Sequence, residues 1–161
     1  MAEAKKRTIS IDDIKAQEAA LVFASFTEEA AYAVGSAIVA AAKAASAPVV
    51  IDIRTPDRTL FHAALPGSTP DNDQWARRKS NSTLRFHQPS LLIGCLKEQK
   101  GEPISSDYGL DPLHYSAHGG SFPVRVAGVG VVAAITVSGL PQEDDHRMVV
   151  AALEAYLGKV S

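Results

Sequence analysis

The chain of 161 residues holds one cysteine, one tryptophan, few other aromatic residues and no long apolar run. With Cys95 alone, an internal disulfide is excluded and a reducing compartment is expected. Cys95 lies in the apolar segment Leu91-Leu92-Ile93-Gly94-Cys95-Leu96, which suits a buried structural thiol better than a nucleophile. The longest uninterrupted apolar stretch, Ala37 to Ala42, falls far short of the about 20 residues that span a bilayer. Neither sign of charge prevails, because 16 Lys and Arg oppose 18 Asp and Glu for a formal net charge of −2. Such a balance produces no broad positive field, so nucleic acid is not expected as a partner. Met1 to Arg7 runs into Thr8-Ile9-Ser10 rather than an apolar segment, which argues against a secretory signal and for a cytoplasmic protein with no membrane partner.

What is present is enough for one core. At 46% hydrophobic and 21% charged, a chain of this length buries most of its unfolded surface without disulfide or metal. A single domain over 1–161 is expected, with residues 1–8 flexible. Ile11, Ile14, Leu21 and Val22 follow helical spacing, with Ser10 and Asp13 as a capping box, so a helix is predicted over 10–24. Thr27 caps a second helix, whose inner stripe is Ala31, Val34, Ile38 and Ala45. Alternation through Val49–Arg54, then Thr55-Pro56-Asp57 and Arg58–Ala64, reads as a hairpin.

Asp71 or Asn72 caps a helix through Trp75 to Phe86, and a shorter helix follows Pro89. Two central strands are predicted at Phe122–Val126 and Val129–Val137, and a last helix begins at Pro141. The element order is ααββααββα, an α/β (α+β) fold with an antiparallel sheet flanked by helices. The strand Val129–Val137 is apolar on one face and small or apolar on the other, so both faces need cover. One cover is expected from the chain's own helices, the small residues of the other face admit a helix or another subunit, and the alanine-rich second helix offers a flat surface for a symmetric copy, making a homodimer the minimum assembly.

On a helix over 72–86, Trp75, Arg78, Lys79, Ser82, Arg85 and Phe86 share one face. Cations beside aromatics form a cradle for a planar or anionic ligand, since guanidinium groups grip carboxylates or phosphates in pairs. The competing reading puts the two rings in the core and leaves the cations solvated or paired with acids such as Asp71 and Asp73. His114 and His118 have a metal-ligand spacing only if helical, and Pro112 and Gly119-Gly120 disfavour a helix there, so no metal site is assigned. Gly119 and Gly120 either expose N–H groups to a ligand or serve backbone geometry alone. His118 and His146 are the candidate proton-transfer groups. Ser105-Ser106-Asp107 and Asp111-Pro112-Leu113-His114 contain residue types used in hydrolysis, but no Gly-x-Ser-x-Gly elbow, phosphate loop or dinucleotide fingerprint accompanies them.

Three blocks carry a family resemblance: Pro70-Asp71-Asn72-Asp73-Gln74-Trp75-Ala76-Arg77-Arg78-Lys79 with Leu84-Arg85-Phe86, then His118-Gly119-Gly120-Ser121-Phe122-Pro123-Val124, then Val137-Ser138-Gly139-Leu140-Pro141-Gln142-Glu143-Asp144-Asp145-His146. Their order and spacing resemble the uncharacterised-protein branch of the GlcG/HbpS-like haem-degrading superfamily, over nearly the whole chain. The resemblance implies a profilin-like or roadblock-like sandwich, oligomeric assembly and haem or another tetrapyrrole as cofactor or ligand. The expected function is a homo-oligomeric binder of a planar or anionic small ligand, contacted by Trp75, Arg78, Lys79, Arg85, His118, Gly119 and Gly120. The alternatives are a haem-degrading or other small-molecule enzyme using His118 or His146, and an oligomeric protein-interaction adaptor.

Overall fold

The computed structural model describes residues 7–103 and 109–158. Its elements run α1 (Ile11–Ala20), β1 (Val22–Phe23), α2 (Glu28–Ala44), β2 (Val50–Arg54), β3 (Thr59–Ala64), α3 (Pro70–Phe86), α4 (Ser90–Lys100), β4 (Ser121–Val126), β5 (Gly130–Ser138) and α5 (Gln142–Leu157). The five strands lie in the order β1-β4-β5-β2-β3. All neighbours are antiparallel except β1 and β4, which pair in parallel through Val22↔Arg125 and Phe23↔Val126.

Strand alternation sorts the residues to the two faces of the sheet. Ile51, Ile53, Phe122, Val124, Ala133, Ile135 and Val137 form one apolar core with Val34 and Ile38 of α2 and Val149 and Leu153 of α5. The opposite face, with Asp52, Ser121, Thr136 and Ser138, is polar and fully buried. It lies under α3, where Ser80 Oγ is 2.8 Å from Thr136 Oγ1, which donates in turn to Ser121 Oγ at 2.9 Å. A second apolar cluster joins Ile9 and Ile14 to Leu91, Leu92 and Cys95 of α4.

Four expectations need correction. The first helix ends at Ala20 rather than residue 24, because Leu21 and Phe23 enter the core while Val22 pairs with the β4 edge. That added strand makes the sheet mixed rather than wholly antiparallel. The cap of α3 is Thr69, with Pro70 at the first helical position and Asn72 two residues later, returning its side chain to the Thr69 N–H at 2.8 Å. Finally, both faces of β5 are covered within the chain, by α3 on one side and by α2 and α5 on the other, so the strand itself does not call for a second copy.

The expectation of a flexible start applies to residues 1–8, of which 1–6 lie outside the described residues. Arg7 donates to Glu98 and Cys95, and Thr8 and Ile9 donate to Glu143. Cys95 is buried, and that burial pushes its thiol above the ordinary value. Among the described residues no helix is long and apolar enough to cross a membrane.

Candidate functional site

At its C-terminal end β5 turns through Gly139, whose φ of +149° a side chain would strain and whose missing Cβ leaves room for Pro48 O. Asp145, in the first turn of α5, locks this turn by accepting from Leu140 N at 2.9 Å and Gly139 N at 3.3 Å. Lys79 reaches over from α3, places Nζ 3.0 Å from Asp145 Oδ2 and donates to Val137 O at 3.4 Å. Lys79 is 3% exposed and Asp145 1%. Desolvation pushes the Lys79 ammonium below its ordinary value and the Asp145 carboxyl above it, and the attraction between them opposes both shifts.

This ion pair floors a cleft of about 290 Å³ between the N-terminal halves of α3 and α5, with Asn72, Trp75, His118 and Gln142 around it. His118 meets the Trp75 ring edge-on, with centroids 4.9 Å apart, and the Arg78 guanidinium lies over the same indole at 4.4 Å. Partial desolvation, then the charges of Lys79 and Arg78, push His118 below the ordinary imidazole value. Its Nδ1 is 3.3 Å from Ser116 Oγ. A ring, a fixed ammonium and a neutral imidazole converging on one concavity can hold a small planar ligand and exchange a proton with it.

The residues foreseen for this role are divided by the fold. Trp75, Lys79 and His118 line the cleft, and Arg78 backs Trp75 while donating Nε–H to Pro112 O. Lys79 is not solvated; it is buried and paired with an acid, as part of the competing reading held, but that acid is Asp145 rather than Asp71 or Asp73. Arg85 stands ten residues from Trp75, about 15 Å along the helix axis, and packs against Tyr115 and Phe86. Gly119 spends its N–H on Gln142 Oε1 at 3.0 Å, and Gly120, at φ +136°, lets Val137 O and Lys79 approach where a Cβ would collide. The two glycines therefore shape the wall rather than line it.

His146 lies outside the cleft. Fully buried beside Phe122, it has Nε2 2.7 Å from Gln17 Oε1 and no partner for Nδ1 among the described residues. Desolvation lowers its pKa to about 4, so it is neutral near pH 7. His114, in a turn built on Asp111, contacts Arg77 and is not helically spaced from His118. Ser105-Ser106-Asp107 lies outside the described residues. Sequence reading passed over Asn72, Gln142 and Asp145 as ligand-facing groups, although all three fall within the motif blocks. It also missed His62, which is held between Asp52 and Asp73 at 2.9 Å from each, while Arg54 pairs with Asp52.

The family model described as haem degrading protein HbpS-like matches residues 26–154. A UPF0303 protein of Streptomyces coelicolor is 51% identical over 150 residues, covering 93% of this chain and 95% of the relative. Among solved structures, the Ybr137w protein superposes with a TM-score of 0.85 at 32% identity, covering 94% of this chain and 90% of its own. The PduOC:heme complex shares the fold at a TM-score of 0.68 and 18% identity, covering 83% and 95%. The chain therefore belongs to the HbpS-like haem-degrading family, alongside the UPF0303 proteins.

Proposed function

We propose that the protein is a homo-oligomeric binder of a small planar, anionic ligand in the cleft between α3 and α5, with haem or another tetrapyrrole as the case its family suggests. The observation that carries this reading is the buried Lys79 ammonium at the foot of a wall made by Trp75 and His118. A fold neighbour, PduOC, forms a heme complex, which supports a tetrapyrrole. At about 290 Å³ the cleft is smaller than the ~300–1,000 Å³ that encloses a drug-sized ligand. It therefore admits a carboxylate-bearing edge of such a ring and leaves the rest outside. His118 Nε2 is the group available as an axial ligand.

Assembly is supported by an apolar groove of about 480 Å³ between α2 and α5, walled by Ala37, Ala41, Met148, Ala151 and Ala155. Asp144 and Arg147 flank it with opposite charges. A two-fold copy laid on this face buries the exposed alanines.

A second reading, catalysis, rests on His118, an exposed imidazole held neutral near pH 7 beside the cleft. Spectral titration with haem separates the two. A Soret band that forms and persists under reductant and oxygen supports binding, whereas bleaching to an open-chain product supports catalysis. No haem band with either wild type or His118→Ala removes the tetrapyrrole.

A further inference from the structure

The hydrogen-bonding state of the cleft is one-sided. Asn72 Oδ1 is already engaged by Thr69 N–H at 2.8 Å, and Gln142 Oε1 by Gly119 N–H at 3.0 Å. Each amide therefore offers only its NH2 group, and neither NH2 has a partner among the described residues. Lys79 gives two of its three N–H bonds to Asp145 and Val137 O, and the third is uncommitted. The carboxylate oxygens of Asp145 are occupied by Lys79, Gly139 N–H and Leu140 N–H. Three donor groups thus surround the cleft, and of its acceptors Asn72 Oδ1, Gln142 Oε1 and the Asp145 carboxylate are spent, which leaves the His118 ring and the Ser138 hydroxyl. Lys79 is neutralised by Asp145, and the Arg78 guanidinium over Trp75 is offset by Asp71, whose Oδ2 accepts from Trp75 Nε1 at 3.2 Å, so the cleft carries no surplus positive charge and matches a monoanion better than a dianion.

We propose, resting on the reading of this cleft as a ligand site, that it is a carboxylate receptor in which the Asn72 and Gln142 amides and the third Lys79 N–H bind the carboxylate of a planar acid lying against Trp75. A charged acceptor on several fixed donors makes the stronger class of hydrogen bond, and a neutral amide isostere accepts through one oxygen only and leaves the remaining donors facing its NH2. The carboxylate could belong to a free one-ring acid or to the propionate edge of a tetrapyrrole.

Trp75 is the only tryptophan, so its emission reports on the site directly. The full-length chain is titrated with benzoate, benzamide and inorganic phosphate. Two variants test the donors, Asn72→Asp and Gln142→Glu, each of which keeps the oxygen that accepts from Thr69 or Gly119 and exchanges the NH2 for a second carboxylate oxygen. Saturable binding of benzoate is expected, with benzamide and phosphate at least about tenfold weaker, a difference of about 1.4 kcal/mol. Each variant should weaken benzoate by at least about tenfold and leave benzamide within about threefold. Displacement of benzoate by haem but not by haem dimethyl ester assigns the carboxylate to a tetrapyrrole edge, and displacement by neither assigns it to a free acid. Equal affinity for benzoate and benzamide, tighter binding of phosphate, or no saturable benzoate response overturns the carboxylate receptor. Should either variant fail to fold, the wild-type ratio of benzoate to benzamide still decides. Haem binding that survives unchanged in both variants retains the ligand cleft while removing this account of it.

Discussion

Lys79 Nζ and Asp145 Oδ2 stand 3.0 Å apart in a place that water barely reaches, tying the middle of α3 to the first turn of α5. Removing one member of such a pair costs far more than the pair itself contributes, because the other is left as an uncompensated buried charge. Lys79→Ala should therefore destabilise the fold by about 3–5 kcal/mol, and Lys79→Met paired with Asp145→Asn, whose amide oxygen can still accept from the Leu140 N–H, by less. Arg78→Ala, which removes a partly exposed cation from over Trp75, should cost no more than about 1 kcal/mol. Urea denaturation of the four proteins checks this, and equal losses for Lys79→Ala and Arg78→Ala would show the buried pair to be energetically unimportant.

A second prediction concerns acid. The folded state holds His146 at a pKa of about 4, against 6.5 for the free side chain, so between those values the unfolded chain binds the extra proton. Stability from this residue is fully present above pH 6.5 and is lost as pH falls towards 4, to a total of about 3 kcal/mol. In His146→Gln, which can still reach Gln17 but does not titrate, the decline between pH 7 and pH 4 should be shallower by that amount. Parallel pH curves for the two proteins would mean that other groups govern acid unfolding.

A third concerns the wall of the cleft. Gly120→Ala places a Cβ 2.4 Å from Val137 O and 2.9 Å from Lys79 Nζ on a backbone at φ +136°. Gly101, also at positive φ, faces open space. Gly101→Ala should cost about 1 kcal/mol from backbone strain alone, and Gly120→Ala at least about 3 kcal/mol, because collision is added to strain. Thermal melts of both variants decide, and the claim fails if the two melt together.

How far the site was legible follows from the range of the forces that built it. The helix α3, its polar stripe and the hairpin β2–β3 are local patterns, and they stand close to where periodicity and turn chemistry put them. The move of the cap from Asp71 or Asn72 to Thr69 is a shift within the same capping logic. Lys79 was visible as a cation on the right face, but its burial was not, since it depends on Asp145, 66 positions away. The same applies to Gln142, whose role depends on the Gly119 N–H, and to β1, where two residues abandon helical spacing because the otherwise unpaired side of β4 lies alongside. The alternation of β5 correctly showed that both faces must be covered, but not that α3 covers the polar one with Ser80.

The last prediction tests assembly on the groove between α2 and α5. Since β5 is covered within the chain, oligomerisation now rests on the surface of Ala37, Ala41, Ala151 and Ala155, side chains too small to obstruct a second copy yet apolar enough to gain from one. Ala41→Arg inserts a long cation into that face at an exposed helical position, where the fold itself should change by no more than about 0.5 kcal/mol. Wild type should therefore show a mass above 17.0 kDa by light scattering at micromolar concentration, and Ala41→Arg a mass that falls towards 17.0 kDa with an unchanged melt. A wild type that stays monomeric at every concentration removes the homo-oligomer altogether. An assembly indifferent to Ala41→Arg moves the interface to another face, of which the free edge of β3, with Phe61 packed on the exposed Tyr32, is the first to examine.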